Sequence, residues 1–435
     1  MTPNDLSERA RPAPVVDTGL LVVDQCGTTL TPLLSCLTGA FARLAPGGSL
    51  LLCAATEIYN VEANDARPRI GSSPLAALLG RCGFDPAVEP GALGATPAAE
   101  AAGGCKDLIY RRAQQAPRWR LTHLTENEFG AFSLLFETVF GHAMTPALWR
   151  WKYAGGRGCS VAAWRGDRLV AHYGGSLREV LAFGRPVQAL QVCDAMVDPR
   201  ERAIMTKTGA MFQVTASFLE IYQGLAGIPL AFGFPNLRAM RLGERLGLYA
   251  DVGALRELRW SALGKGPRLT TRLRDLNPDS AVDRRSVEQL WAEMAQDLKD
   301  GLIGVRDWNY LRHRYIEHPE RRYKLVLVRS RFTGAALGLL VLRLDEKDVV
   351  LIDLVAPMRR IPLLLVQARR LTGLWGRPSL YGWITRQNVS VFTPSDPQIR
   401  DIDVSIPTNA WVSQPFDPAQ LCDRWWLTLG DTDFS

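Results

Sequence analysis

The chain has 435 residues, of which 47% are hydrophobic and 22% are charged, a composition typical of globular domains. This length predicts two or three domains. Every apolar run falls short of the roughly 18 residues that a membrane-spanning helix needs, so we predict no membrane span. The first residues lack the basic and then apolar order of a secretory signal, which predicts a cytoplasmic protein of bacterial type.

Charge is distributed unevenly along the chain. The net charge is +7, yet residues 1–117 contain nine basic and eleven acidic residues, so the positive excess lies after residue 117. Basic and acidic residues are interspersed there and form no clustered basic helix. This pattern favours a small phosphorylated ligand and predicts no nucleic-acid partner.

Cysteines and histidines show no metal-binding pattern. The eight cysteines are scattered without a CxxC pair, and the five histidines lack HExxH spacing. We therefore predict buried free thiols, no disulfide framework and no metal site.

Strands and helices alternate in residues 1–117, which predicts parallel α/β packing. The predicted strands are 19–25, the run SLLLCAAT after a Pro-Gly turn, and 106–113; the predicted helices are 31–44, with Thr31 as cap and Pro32 in the first position, and 73–84. The order strand, helix, LAPGG, strand, helix, GF, strand over residues 17–113 resembles the C-terminal half of a class I S-adenosylmethionine-dependent methyltransferase. The resemblance implies a partial Rossmann-like fold. Because the family's glycine-rich cofactor loop has no counterpart here, we expect a truncated domain that binds no S-adenosylmethionine.

The pattern of residues 118–262 predicts a second domain, of mixed α/β type. A helix follows the possible capping box of Thr125 and Glu128. Three or four antiparallel strands are predicted next, with turns at 165–167 and 184–186. A helix over 208–224, a strand ending at Pro235 and a helix beginning at Asn236 complete the domain.

Residues 263–435 repeat part of this order. LWRWKY at 148–153 aligns with YLRHRY at 310–315, and VAAWRGDRLVAHYGG aligns with LVLVRSRFTGAALGL. The similar order with poor identity predicts a diverged duplication of one α/β unit. The cationic group Arg306, Arg312, His313, Arg314 and His318 lies in this third domain.

The stretch VCDAMVDPRERAIMTKTGAMF, residues 192–212, joins a predicted strand to a predicted helix. Pro199 ends the strand, and amides at the helix N-terminus favour an anion. Gly209 allows close approach to the backbone. The basic and hydroxyl side chains of the junction are Arg200, Arg202, Thr206, Lys207 and Thr208. They are consistent with a pyrophosphate site, and equally with a solvated helix start.

The order of elements around this junction resembles the GNAT acyltransferase superfamily, over roughly residues 118–435. In that family a turn after the fourth strand binds the pyrophosphate of acetyl-CoA, the next strand diverges, and the next helix begins with Asn. The segment NLRAMRLGERLGLY is similar to the family's motif at Asn236, Ala239 and Gly247. Gly243 stands where many members have a general-acid Tyr.

The resemblance implies two GNAT-like folds in tandem, the second degenerate and shaping the acceptor cleft. It assigns cofactor binding to one set of residues: Val197, Asp198, Arg202, Thr206, Lys207, Thr208, Gly209 and Asn236. Backbone amides next to Val197 and Asp198 would hold the thioester carbonyl, whereas the Asp198 side chain is interpreted as a solvated strand-end carboxylate.

Three residues are candidates for catalysis. Asp194, on the fourth strand of the fold, stands where family members place a base, with pairing to a nearby Arg as its alternative. His172 and Tyr173 lie on the facing strand, with core packing as their alternative. Cys193 is a nearby thiol, but no nucleophile motif is present, so direct attack in a ternary complex is expected.

These residues predict an N-acyltransferase. The donor would be acetyl-CoA, another acyl-CoA or an acyl carrier protein, and the acceptor a small-molecule amine or a polysaccharide or natural-product precursor. Two alternatives remain open: a GNAT-like decarboxylase of a malonyl-type thioester, and a non-catalytic binding or scaffold protein.

Overall fold

The computed structural model describes residues 20–24, 33–44, 49–53, 74–86, 108–264 and 270–433. Contacts divide the chain into two compact units. The first unit comprises residues 1–139, 160–173 and 196–227, and the second comprises 140–159, 174–195 and 228–435. The predicted cap Thr31 and Pro32 lie outside the described residues.

The strands, in chain order, are β1 (Leu20–Asp24), β2 (Ser49–Cys53), β3 (Phe84–Pro86), β4 (Leu108–Arg112), β5 (Arg120–Thr122), β6 (Gly158–Arg165), β7 (Arg168–Ala182), β8 (Arg185–Val197), β9 (Leu230–Phe232), β10 (Tyr249–Ser261), β11 (Thr271–Asp275), β12 (Leu302–Gly304), β13 (Lys324–Ser330), β14 (Ala336–Leu344), β15 (Val349–Val355), β16 (Ser379–Thr385), β17 (Gln398–Asn409) and β18 (Trp425–Trp426).

The α-helices are α1 (Leu33–Arg43), α2 (Pro74–Arg81), α3 (Phe129–Phe140), α4 (Pro146–Tyr153), α5 (Ala210–Leu219), α6 (Leu237–Arg245), α7 (Ala281–Asp297), α8 (Trp308–Leu311), α9 (Ile361–Leu374) and α10 (Pro418–Leu421). Two π-helical turns, Glu220–Leu225 and Arg312–Ile316, continue α5 and α8. Short 3-10 turns occur at Glu126–Glu128, Pro199–Glu201, Met358–Arg360, Arg386–Val391, Thr393–Ser395 and Leu429–Asp431.

In the first unit, the sheet built from the N-terminal strands has the order β1-β2-β4-β3. β1 and β2 are parallel, as predicted, but β4 runs antiparallel to both β2 and β3. The prediction of an all-parallel arrangement was therefore wrong for the closing strand. In the same unit, β5 pairs antiparallel with β6.

In the second unit, a seven-stranded sheet has the order β11-β13-β14-β15-β16-β10-β17. A large apolar core packs on it, with Val326, Leu340 and Ile352 among its fully or almost fully buried members. β10 pairs with β16 and β17, so this strand, which lies within the residues assigned to the middle domain, is part of the sheet formed by the third. The reason is that a strand joins a sheet through long-range pairing, which its own sequence does not encode.

Parts of five further strands also pair within the second unit: β7, β8, β9, β12 and β18. β12 runs antiparallel to β7 at Leu302↔Ala182 and parallel to β18 at Leu302↔Trp425. β8 pairs in parallel with β9, and the last pair in this register is Gln191↔Phe232. β8 continues past that pair to Val197, whereas β9 ends at Phe232, so the pairing of the two strands stops at Gln191.

Local capping follows the sequence closely. Thr125 and Glu128 form the predicted capping box, and the Asn236 side chain accepts a hydrogen bond from the Ala239 amide at 2.9 Å. The predicted turn at 184–186 lies one residue earlier: Phe183 and Gly184 both have positive φ, 50° and 76°, as a tight hairpin requires.

Candidate functional site

The junction after β8 is a network of charged side chains in the first unit. Asp198 is buried, and its carboxylate accepts hydrogen bonds from Arg200, including the amide at 2.9 Å, and from Arg168 at 2.6 Å. The side-chain hydrogen bond from Arg200 is the main reason that the pKa of Asp198 falls to about 2. The interpretation of Asp198 as a solvated carboxylate was therefore wrong, because Arg168 and Arg200 cover it.

The turn that follows is exposed and leads into α5. Arg202 donates to the Val197 carbonyl at 3.2 Å, and the hydroxyls of Thr206 and Thr208 lie 2.9 Å apart. Arg202, Thr206, Lys207 and Thr208 are all exposed. The structure thus brings the basic and hydroxyl side chains predicted for the junction onto one surface turn.

Gly209 forms the start of α5. It occupies the N-cap position without a side chain to cap the helix. A Cβ at Gly209 would lie 2.1 Å from the Ile204 carbonyl oxygen, so only glycine fits the turn. The first amides of α5 therefore remain donors for an external anion, as helix N-termini commonly do.

His172 and Tyr173 are core residues of the first unit. Their exposed fractions are 1% and 2%. The His172 ring meets the Phe132 ring edge-on at 5.0 Å, and the Tyr173 ring meets the Phe218 ring at 5.0 Å. These contacts favour the packing alternative over a catalytic role.

Asp194 lies in the second unit and interrupts β8. Its φ of 50° is unusual for a strand residue, and we interpret it as a local bulge. One carboxylate oxygen accepts from Lys152 at 2.7 Å, and the other accepts from the Tyr153 hydroxyl at 2.5 Å. The pairing alternative for Asp194 is therefore realised, with a lysine in place of an arginine.

Burial controls the ionisation of the groups around Asp194. Burial alone lowers the pKa of Lys152, but the carboxylates of Asp194 and Asp433 outweigh it and hold that pKa above its ordinary value. Burial raises the pKa of Cys193 and of Tyr153. Lys152 is thus a cation at neutral pH, while Cys193 and Tyr153 remain protonated.

A cavity of about 350 Å³ opens beside this group, entirely within the second unit. The lining includes Lys152 and Arg157 from α4 and the loop after it, Arg178 from β7, Cys193 from β8, His313, and Asp433. Asp433 Oδ2 lies 3.8 Å from Lys152 Nζ. This volume is in the range of ligand-binding cavities, about 300–1,000 Å³.

Two histidines pack on one tryptophan at this cavity. The Trp151 ring lies 5.0 Å from the His313 ring and 4.5 Å from the His318 ring. Burial, together with the nearby charges of Arg157 and Arg314 respectively, lowers the pKa of His313 to about 4 and that of His318 to about 3. Both imidazoles are therefore neutral at physiological pH.

The rest of the predicted cationic group has structural roles. Arg306 is fully buried and binds Asp431 at 2.6 Å and Asp353 at 3.1 Å. Arg314 donates to the carbonyl groups of residues 430 and 432. Arg312 is on the surface and pairs with Glu317.

The segment 427–431 lies between β15 and β16. These strands pair in parallel only from Val349 to Leu351 on the β15 side, and both continue further. The Thr385 amide donates to the Leu427 carbonyl, and Thr428 Oγ1 binds Asp353 at 3.1 Å. The space between the diverging strands is therefore occupied by the protein itself.

Two further predicted positions lie in α6 of the second unit. Asn236 caps the helix, so its amide side chain is engaged. A Cβ at Gly243 would lie 2.0 Å from the Tyr249 ring, so this ring covers the position of the family's general-acid Tyr. The structure places Asn236 in one unit and residues 197–209 in the other.

Residues 120–250 match the domain family described as acetyltransferase (GNAT) domain. The matched residues span β5 to the start of β10 and include Lys152, Asp194 and Gly209.

Two solved structures share the fold of about two thirds of this chain. A probable N-acyltransferase from Enterococcus faecalis V583 is 11% identical, with a TM-score of 0.54 over 67% of this chain and 72% of that one. A GCN5-related N-acetyltransferase from Anabaena variabilis is 12% identical, with a TM-score of 0.51 over 68% and 73%. Likeness at this identity extends to the fold alone. No curated protein sequence matches the chain.

Within the described ranges, no group of His, Cys, Asp and Glu side chains could hold a metal ion, and no helix is long and apolar enough to cross a membrane. Of the described thiols, Cys82, Cys159 and Cys193 are buried, but Cys36 and Cys422 are exposed, contrary to the prediction.

Sequence reasoning missed the roles of Lys152, Tyr153, Arg157 and Asp433. Lys152 and Tyr153 are adjacent on α4 and could have been paired with Asp194 only through a known fold. Arg157 follows two glycines with positive φ, a local signal of a tight loop at the site. No local feature of the sequence marks Asp433.

Proposed function

We propose that this protein transfers an acyl group from acyl-CoA, or from an acyl carrier protein, to an amine. The observation that carries the proposal is the GNAT domain at residues 120–250. It is supported by the bulge at Asp194 in β8 and by the end of the parallel β8–β9 pairing at Gln191, which leaves the last part of β8 unpaired with β9. A strand that bulges and loses its parallel partner at this point offers backbone amides to a thioester carbonyl. The Asp198 amide, predicted to be one of them, instead donates to the Val170 carbonyl at 2.8 Å.

The proposed donor site is the turn 198–209. Its support is the uncapped start of α5 and the exposed side chains of Arg202 and Lys207, which suit the diphosphate of CoA or the phosphate of a carrier protein's pantetheine. We expect no S-adenosylmethionine site in residues 1–117.

The proposed acceptor site is the cavity next to Lys152. Acyl transfer to an amine needs a proton acceptor for the amine and donors for the thioester oxygen. Both oxygens of Asp194 are engaged by Lys152 and Tyr153, so Asp194 positions the ammonium of Lys152 and another group takes the proton.

Direct attack by the amine is favoured over a covalent acyl-enzyme. Cys193 lines the cavity, but burial raises its pKa and keeps it a thiol. The thiolate needed for a covalent intermediate is therefore scarce at neutral pH.

The third segment is proposed to be a second, degenerate GNAT-like fold. β15 and β16 pair in parallel over three residues and then diverge, and β8 and β9 also pair in parallel over three residues. Residues 427–431 fill the gap between β15 and β16. A fold whose gap is filled in this way has no room there for a thioester.

Calorimetric titration with acetyl-CoA tests the donor site. We expect binding that weakens at least about tenfold in Arg202→Glu and Lys207→Glu, because each change removes a charge-assisted contact and adds repulsion. Arg185→Glu, at an exposed position in the second unit, is the matched control and should bind normally.

Thiol release from acetyl-CoA in the presence of amines tests the reaction. Failure of acetyl-CoA, longer acyl-CoA and a pantetheinylated carrier protein to bind would overturn the proposal. Carbon dioxide release from malonyl-CoA without an amine would support the decarboxylase alternative. Binding without turnover of any thioester would support a scaffold role.

A further inference from the structure

Arg157 presents a cation to the cavity without a carboxylate partner among the described residues. The guanidinium donates from Nη2 to the Trp151 carbonyl, and this hydrogen bond is long at 3.4 Å. Its Nε is buried and has no hydrogen-bond partner in the described part of the chain. A buried donor that lacks a partner costs free energy, which a bound anionic group would recover.

Asp433 presents an anion to the same cavity. Its side chain is 20% exposed and lies near Lys152, whose ammonium also pairs with Asp194. One lysine between two carboxylates leaves this group with a net negative charge. A cationic ligand group would compensate it.

The other charged side chains of the cavity wall are already engaged or lie at its edge. Arg178 pairs with Asp431, and Arg314 binds backbone carbonyl groups. Asp307 caps α8 through the Tyr310 amide, and Glu179 is exposed to solvent. The cavity therefore offers one uncompensated cation and one uncompensated anionic group.

We propose that the acceptor is an amino acid whose carboxylate binds Arg157 and whose amine lies against Asp433. This inference rests on the proposed acyl transfer. A zwitterion compensates both charges of the cavity at once, whereas a simple amine would leave the Arg157 guanidinium without a partner. The cavity volume of about 350 Å³ suits a molecule of this size.

Asp433 is then the proton acceptor for the amine. Burial is the main reason that its pKa is raised, and the Asp194 carboxylate raises it further. The carboxylate takes one proton from the substrate ammonium, and the neutral amine attacks the thioester carbon. The N–C bond forms, the C–S bond breaks, and the thiolate leaves with the second nitrogen proton, giving amide and thiol. Asp433 then releases its proton to solvent.

Binding is measured first without any acyl-CoA, so that the result does not depend on acyl transfer. The probes are the twenty common amino acids and ornithine, titrated calorimetrically against the full chain. Each amino acid that binds is compared with its decarboxylated amine, for example serine with ethanolamine and ornithine with putrescine. We expect at least one amino acid to bind about tenfold or more tightly than its amine, as a charge-assisted contact predicts.

Arg157→Gln should abolish this preference, and Arg157→Lys should restore part of it. Arg312→Gln is the matched control, because Arg312 is exposed and pairs with Glu317 at the surface. Asp433→Asn should lower kcat in the thiol-release assay and remove the acidic limb of its pH profile, while the protein still binds the amino acid carboxylate.

Three outcomes would overturn the inference. They are the absence of binding by every amino acid, equal binding of an amino acid and its amine, and retention of the preference in Arg157→Gln. Amino-acid binding with no thiol release would uphold the site and reject the proposed acyl transfer, so the two failures are distinguishable.

Discussion

Asp194 combines a strained backbone with two charge-assisted contacts. A non-glycine residue with φ of 50° is uncommon, although Asp and Asn tolerate this conformation better than most residues. Its carboxylate binds Lys152 and Tyr153, both of them largely buried. The bulge is therefore held in place by side chains from α4.

Replacing Asp194 by Asn tests this arrangement. The change keeps the backbone conformation but leaves the buried ammonium of Lys152 with Asp433 alone. We expect a loss of about 3 kcal/mol in the free energy of unfolding, measured by chemical denaturation. Asp396→Asn is the control, because Asp396 has nearly the same φ, 51°, but is exposed; it should change stability little. Equal effects of the two variants would contradict the assigned role.

The histidines on Trp151 make stability depend on pH. The pKa of His318 lies at about 3 and that of His313 at about 4, both below the ordinary value of 6.5. Nδ1 of His318 also accepts backbone hydrogen bonds from Glu320 and Arg321, which a proton there would displace. The unfolded chain therefore binds protons more readily than the native one.

Consequently, the contribution of these two groups is present above about pH 6.5 and is lost as the pH falls from 6.5 towards 3. We expect unfolding curves of the wild type to shift to lower denaturant over this interval, and those of the double variant His313→Gln, His318→Gln to shift less. His142→Gln, at an exposed position, is the control. Parallel pH dependence of wild type and double variant would contradict the assignment.

At the scale of elements, the turn before α5 requires glycine at position 209 for lack of space, since the φ of Gly209 is −75° and any residue could adopt it. Gly209→Ala places a methyl group 2.1 Å from the Ile204 carbonyl oxygen, so the turn must shift. We expect a loss of about 1–3 kcal/mol in stability, as for other overpacked sites, together with weaker acetyl-CoA binding. Thermal unfolding and calorimetry measure the two effects.

Gly130→Ala in α3 is the matched control for that substitution. A Cβ there meets no atom within 4 Å, and the helical conformation favours alanine. We expect a gain of about 0.5–1 kcal/mol. If both variants changed stability in the same direction, the steric account of Gly209 would fail.

Elements with local signals could be predicted from the sequence. The capping box at Thr125, the cap at Asn236 and the strand that ends near Pro199 all follow from side chains within a few residues of each other. The bulge at Asp194 could not be predicted, since its partners on α4 are distant in sequence. Nor could the sheet that β10 joins be predicted, since its partner β16 is also distant in sequence.

The same distinction between local and long-range signals explains why only part of the candidate site could be predicted. The exposed turn of Arg202 and Lys207 was found because its residues are consecutive. Asp433 and Arg157 come from distant parts of the chain and meet only at the cavity. His172 was assigned to the site because strand alternation does not distinguish a cavity from a core, and its ring packs on Phe132.

For the whole molecule, the net charge of +7 favours approach of an anionic donor. If the proposed donor site is correct, raising the salt concentration from about 50 mM to about 500 mM should weaken acetyl-CoA binding several-fold, because the Debye length shortens. Acetyl-pantetheine, which carries no phosphate, is the control ligand and should show little dependence on salt. Calorimetry at the two salt concentrations provides the measurement, and equal salt dependence of both ligands would contradict the electrostatic account.

The segment 427–431, buried between β15 and β16, has a consequence for biosynthesis. Ribosomes make a chain in order, so both strands are complete well before this segment is translated. Until then Arg306 lacks Asp431, the partner that its guanidinium binds at 2.6 Å in the native fold. The second unit therefore cannot close the gap between β15 and β16, or complete the Arg306–Asp431 pair, before residues 427–431 have been translated.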